Sequence, residues 1–202
     1  RDVVKSPTVQ STAALLEAAE KLSRDNQVVN SSEDSCDDYA PFPLTEMQMA
    51  YYVGRHHGFD LGGVGEHYYV ESIVDASMPQ FENALNTVVR HHDMLRAVFT
   101  EDGRQKILRE VPRYRIEVED FTLASEKEIA DAVLKKRGEL SHRRYDLGQW
   151  PLFDISAFAL PDGTHRLFFS VDMIVGDGAS QRIFIRDLSR VYRGETLPDV
   201  VG

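Results

Sequence analysis

Apolar positions along this chain recur with two periods, and the switches between them mark out its elements. Alternation with a period of two runs through residues 66–75, where Tyr69, Glu71 and Ile73 alternate with Tyr68, Val70 and Ser72. Residues 97–100 and 105–109 form a short hairpin about Asp102-Gly103, a dipeptide suited to a tight turn. Residues 114–119 read as another strand. Residues 152–160 and 165–171 form a second hairpin about Pro161-Asp162-Gly163. Helical spacing governs the rest. Residues 45–53 form a helix capped by Thr45. Residues 79–92 place Phe81, Leu85, Val88 and Val89 on one side. Residues 125–142 turn Ile129, Val133 and Leu140 inward behind a Ser125/Glu128 capping box. Residues 179–193 carry Ile183, Ile185, Leu188 and Val191. Strands and helices are interleaved and the hairpins are antiparallel. The pattern predicts an α+β fold, a mostly antiparallel sheet with helices packed on one face.

The beginning of the chain has a different character. Residues 1–22 include a helical stretch with Leu15, Leu16, Ala19 and Leu22 near one face, opened by Ser6 or Thr8 with Pro7 in the first turn. Residues 23–40 lose all periodicity and turn polar and acidic, which is the composition of a linker. The main domain is expected over residues 41–202. The chain opens on Arg1 rather than Met, so it reads as a piece of a longer polypeptide.

Charge and composition narrow the classes of partner. The net charge of −10 disfavours nucleic acid and anionic membrane surfaces. No apolar run approaches the roughly 20 residues of a membrane helix. The single cysteine, Cys36, has no intramolecular partner, which suits a reducing cytoplasm.

Candidate chemistry is sparse. Glycines 58, 62, 63 and 65 precede a strand, whereas a phosphate-binding loop follows a strand and opens a helix, so a nucleotide site is disfavoured. The pairs His56-His57 and His91-His92 are adjacent residues whose side chains diverge, unlike the i, i+4 spacing of a zinc helix, and read as surface or helix-end histidines. The stretch RLFFSVDMIVGDGAS, residues 166–180, is different. A buried strand ends there in carboxylates, and glycines let the backbone turn into a helix. Asp177 reads either as the cap of that helix or as the partner of a buried arginine. Asp172 at the end of a buried strand needs a partner, because an unpaired buried carboxylate costs several kcal/mol. Ser180 is either a first-turn hydrogen-bonder or a site hydroxyl.

The segment DMIVGDGAS resembles DxxxxDxxS, the signature of heterocyclization domains of nonribosomal peptide synthetases, where ordinary condensation domains carry HHxxxDG. Asp172 stands in place of the first His, Met173 in place of the second, and Asp177-Gly178 keep the DG. FPLTEMQMAYYVGR, with Gln48, Ala50, Tyr51, Gly54 and Arg55, is similar to the family's opening motif. RHHDMLRAVFTEDGRQ, with His92, Met94, Leu95, Arg96, Asp102, Gly103 and Gln105, resembles its second motif. RDVVKSPTVQSTAALL resembles the closing helix of a carrier protein domain.

The resemblance implies a chloramphenicol-acetyltransferase-like sandwich, of which residues 41–202 are the N-terminal half, preceded by a carrier remnant and a linker. It implies an enzyme that joins an upstream acyl or peptidyl thioester to Cys, Ser or Thr and cyclodehydrates the product to a thiazoline or oxazoline. No cofactor is expected to bind directly, since substrates arrive on 4'-phosphopantetheine arms. The implied partners are upstream and downstream carrier domains, the C-terminal half of the same domain and an adenylation domain. Asp172, Asp177 and Ser180 are the candidate catalytic residues. Asp172 is expected to shape the tunnel or bond substrate, and Asp177 to anchor the loop through an ion pair with Arg96. The rival readings are a carrier-docking module without chemistry of its own and an ordinary amide-forming acyltransferase.

Overall fold

The structure, a computed structural model, describes residues 39–55 and 65–198 of the chain. The helix expected within residues 1–22, the linker up to residue 38 with Cys36, the His56-His57 pair and the glycines at 58, 62 and 63 lie outside the described residues. In order, the elements are β1 (Phe42–Pro43), α1 (Glu46–Gly54), β2 (His67–Val74), α2 (Met78–His91), β3 (Ala97–Phe99), β4 (Arg104–Ile107), β5 (Glu117–Asp120), α3 (Glu126–Leu140), β6 (Phe153–Ala159), β7 (His165–Asp172) and α4 (Gly178–Tyr192). Short 3-10 turns occupy Asp93–Arg96 and Met173–Val175.

The larger sheet runs β2-β7-β6-β5. β2 pairs antiparallel with β7 over its whole length, from His67 opposite Asp172 to Val74 opposite His165. β6 and β7 form the second predicted hairpin, whose turn holds Gly163 at φ 83°. β5 lies parallel to β6, and α3 is the crossover that such a connection needs. A smaller sheet runs β1-β4-β3, with Gly103 at φ 74° in the β3–β4 turn. The expected strand over residues 114–119 shortens to β5. Side chains of α2 take up the preceding backbone: Asn86 Oδ1 accepts from Tyr114 N at 2.8 Å and Glu82 Oε2 from Ile116 N at 3.0 Å.

The α+β class holds, but helices cover both faces of the large sheet rather than one. The reason is the two-sided apolarity of the central hairpin. One face of β6 and β7 presents Ile155, Ala157, Leu167 and Val171, which pack with Leu85, Val88 and Val89 of α2 and Leu188 of α4. The other presents Phe158 and Phe168, covered by Val133 and Leu140 of α3. Either face left bare would expose large apolar side chains, at roughly 25 cal/mol per Å². α2 and α4 are further tied by Asp187, which lies 3.0 Å from His92 Nε2 and accepts from Arg186 Nε at 2.8 Å. Burial pushes the Asp187 carboxyl up, and the bonds from Arg186 and His92 outweigh it, so it sits below the usual carboxylate range. No helix among the described residues is long and apolar enough to cross a membrane.

Candidate functional site

The alternation of β7 decides which way its last residue points. Phe168 and Ser170 face α3, so Asp172 continues that row into the interior and is 1% exposed. Its partner is Arg55, the residue that caps the C-terminus of α1. The same guanidinium donates from Nη1 to the carbonyl of Tyr145 at 3.1 Å, and the Tyr145 hydroxyl donates to the carbonyl of Ser170, also at 3.1 Å. Burial pushes the Tyr145 phenol up to about 12. Burial, and then the charge of Arg144, lower the pKa of Arg55, yet a guanidinium stays protonated at any ordinary pH. Gly65 packs directly on this pair: a Cβ there would come within 2.6 Å of Arg55 Nη2.

Three further bonds fix the loop after Asp172. Asp172 Oδ1 accepts from Ile174 N at 3.1 Å, which caps the 3-10 turn. Met173 N donates to the carbonyl of Glu66 at 2.9 Å. Gln48 Nε2 donates to the carbonyl of Ile174 at 3.1 Å, holding α1 against the turn. Gln48 and Gln105 also exchange amide bonds at 2.9 Å each way, which links the loop to the small sheet. Gln48 is positioned by the capping box at the start of α1, where Thr45 N donates to its Oε1 at 3.0 Å.

Asp177 and Ser180 are brought together, bonded to each other rather than to Asp172. Asp177 Oδ1 accepts from Ala179 N at 3.0 Å, from Ser180 N at 2.8 Å and from Ser180 Oγ at 2.9 Å. Asp177 is therefore the N-cap of α4, and both residues are exposed. The bonds from Ser180, and lesser ones from Ala179 N, hold its carboxyl below the usual range. Gly176 makes this geometry possible, since a Cβ at that position would meet Ser180 Cβ at 2.9 Å.

The expected ion pair between Asp177 and Arg96 is not formed. Arg96 is buried at the end of the 3-10 turn that precedes β3, where it pairs with Asp93 and donates to the carbonyls of Leu108 and Arg109. The arginine that anchors the loop is Arg55, and the carboxylate it holds is Asp172. Arg55 belongs to the opening segment FPLTEMQMAYYVGR, but nothing in a single sequence joins it to an aspartate 117 positions away.

Chemically, the end of β7 carries no imidazole. His67 stands directly opposite Asp172 on β2, but its Nδ1 lies 3.5 Å from the carbonyl of Gly65, while the Asp172 carboxylate is taken by Arg55. A carboxylate neutralised by a guanidinium and shielded from water is a poor proton acceptor near neutral pH. The polar groups that the loop offers to solvent are Asp177 and Ser180. Among the described residues, no group of three or more His, Cys, Asp or Glu side chains could hold a metal ion.

The sequence model of the family described as "Condensation domain" matches residues 41–200. Bacitracin synthase 1 of Bacillus licheniformis is 32% identical over 193 residues, which is 96% of this chain and 4% of that protein. Phenyloxazoline synthase MbtB of Mycolicibacterium paratuberculosis is 32% identical over 205 residues, 98% of this chain and 17% of that one. The chain therefore spans only a small part of these relatives. Among solved structures, the EpoB cyclization-docking bidomain of a nonribosomal peptide synthetase from Sorangium cellulosum superimposes with a TM-score of 0.76 at 28% identity, covering 96% of this chain and 40% of that one.

Proposed function

The chain belongs to the condensation-domain family of nonribosomal peptide synthetases, and from that premise we propose that it is the N-terminal half of a heterocyclization domain. The reading rests on one observation: at the end of β7 a buried aspartate is held by Arg55, at the position where the motif resemblance would have an amide-forming condensation domain carry histidine. The likeness to a phenyloxazoline synthase and to a cyclization bidomain supports the same reading.

The reaction has two stages. The amine of a carrier-bound Cys, Ser or Thr attacks the thioester carbonyl of an upstream carrier. The C–N bond forms, the C–S bond breaks and the donor thiol leaves with a proton. The side-chain thiol or hydroxyl then adds to the new amide carbon. That carbon's oxygen leaves as water, taking the amide N–H proton, and a C=N bond closes the thiazoline or oxazoline. Amide formation needs alignment more than acid–base help, and orientation supplies up to roughly 7–11 kcal/mol in well-oriented cases. A loop without imidazole is compatible with that stage. Loss of water needs proton transfer, which is carboxylate work. In this reading Asp172 is a positioning residue that sets the loop through Arg55, and Asp177 and Ser180 are the groups placed to meet substrate. The substrates are carried on 4'-phosphopantetheine arms of carrier domains, and the adenylation domain and the C-terminal half of the domain are the remaining partners.

The test is to supply the complete synthetase with loaded donor and acceptor carriers and to weigh the carrier-bound product intact. The expected product is lighter than the simple amide by one water. An amide that accumulates with no loss of water overturns the heterocyclization reading and leaves an ordinary condensation domain.

A further inference from the structure

Residues 172–181 carry four side chains with oxygen or nitrogen atoms: Asp172, Asp177, Ser180 and Gln181. The first three have no free proton to donate to a substrate. Asp172 is buried and taken by Arg55. Asp177, held below the usual carboxylate range, is ionised near neutral pH and only accepts. Ser180 has one hydroxyl proton, and it goes to Asp177 Oδ1 at 2.9 Å. Gln181 is the remaining group, and it follows directly on the pair that the loop offers to solvent.

The backbone of Gln181 is fixed. Its N–H donates to the carbonyl of Asp177 at 3.0 Å, an i to i−4 bond at the start of α4. Its side chain is half-buried, and Nε2 donates to Met173 Sδ at 3.5 Å. That is the one side-chain hydrogen bond of Gln181 among the described residues. Met173 is half-buried as well, so the contact lies at the surface of the loop rather than beneath it. A thioether is a weak acceptor, so an amide N–H held by sulfur is released to a carbonyl oxygen at little cost.

We propose that Gln181 is a catalytic residue of the second stage, an inference that rests on the heterocyclization reading. Its Nε2–H leaves Met173 Sδ and donates to the oxygen of the newly formed amide. As the acceptor's thiol or hydroxyl adds to the amide carbon, the C–S or C–O bond of the ring forms and the C=O π electrons move onto that oxygen. A neutral carboxamide transfers no proton; it lends a hydrogen bond to the charge that builds there. The proton of the nucleophile and the amide N–H proton both end on the departing oxygen, and water leaves as C=N closes. A thioester is a good electrophile and an amide a poor one, so the donor matters most at this stage.

Gln181→Met keeps the length and the helix preference of the side chain and removes the donor. Gln181→Glu keeps its shape and, ionised, only accepts. Each is made in the complete synthetase, which is supplied with loaded donor and acceptor carriers, and the carrier-bound products are weighed intact. In both variants the uncyclised amide should accumulate. The product lighter by one water should form about 10²–10³-fold more slowly, the usual loss on removing one such donor. Variants that cyclise as fast as the unsubstituted synthetase overturn the proposal and leave heterocyclization standing. Equal loss of amide and cyclised product also overturns it, because that is the signature of a structural role. An unsubstituted synthetase that stops at the amide defeats the heterocyclization reading itself, and this proposal with it.

Discussion

A carboxylate that is 1% exposed has no water to support its charge, so the state of Asp172 depends on Arg55. Removing one member of a buried pair strands the other, at about 3–5 kcal/mol. Asp172→Ala and Arg55→Ala should each lower the stability measured by urea denaturation by that order. The double variant Asp172→Leu, Arg55→Met removes both charges and should recover most of the loss. A double variant no more stable than either single would show that the pair is not the unit. Asp177→Asn should have a far smaller effect, because asparagine caps a helix about as well as aspartate. From the sequence, Asp172 is expected to shape the tunnel or bond substrate and Asp177 to be the arginine-held anchor; in the fold the arginine-held carboxylate is Asp172, and Asp177 caps α4. The need for a partner at Asp172 was legible, because a carboxylate ending the apolar run Leu167 to Val171 has to be neutralised. The partner was not, because residue types alone do not say which of several arginines reaches it across the fold. Arg96 lies in a motif segment just as Arg55 does, and only the path of α1 across the loop distinguishes them.

At the level of elements, the caps and hairpins were readable because their signals are local: Thr45 with Gln48, Ser125 with Glu128, and glycine at the two turns. The face chosen by α3 was not local. It depends on Phe158 and Phe168 pointing away from α2 and α4, and on Glu71. Glu71 on β2 accepts from Arg137 Nε of α3 at 2.7 Å, from Arg166 Nη1 of β7 at 3.0 Å and from the Tyr69 hydroxyl at 2.7 Å. The bonds from Arg137, then those from Tyr69 and Arg166, outweigh burial and bring its carboxyl down to about 2 from 4.5. A depressed folded-state value means that the unfolded chain takes up the proton first. The stabilisation is complete above pH 4.5 and is lost as pH falls toward 2. Arg137 is half exposed and solvent screens the pair, so the contribution is about 1 kcal/mol. Glu71→Gln should flatten the acid limb of stability against pH between those limits and change little at neutral pH beyond that loss. An acid limb as steep as that of the unsubstituted protein would remove Glu71 as its source.

At the scale of the molecule, the two cores of the described residues meet across one pair of strands. Phe168 is fully buried on the α3 side, with its ring 4.7 Å from Phe158, while its neighbours Leu167 and Phe169 pack toward α2 and α4. The single tryptophan, Trp150, reports from that opposite side. Its indole N–H donates to the carbonyl of Leu95 at 2.9 Å, and its ring meets Phe153 edge-on at 6.1 Å. Phe168→Ala removes a large ring from the second core and should cost about 3–5 kcal/mol. If the strands transmit that loss, the denaturation midpoint seen by Trp150 fluorescence falls as far as the one seen by far-ultraviolet circular dichroism, although no atom near the indole has changed. If each core unfolds by itself, the fluorescence midpoint stays put and the two probes separate. Coincidence is the expected result. β6 and β7 are hydrogen-bonded to each other over seven residue pairs, and β7 to β2 over eight, so the sheet cannot lose one face while its backbone ladder serves the other. The same rigidity carries the loop after Asp172: β7 ends where Arg55, Gln48 and Glu66 converge on it, so the position of Asp177 and Ser180 is set by both cores at once.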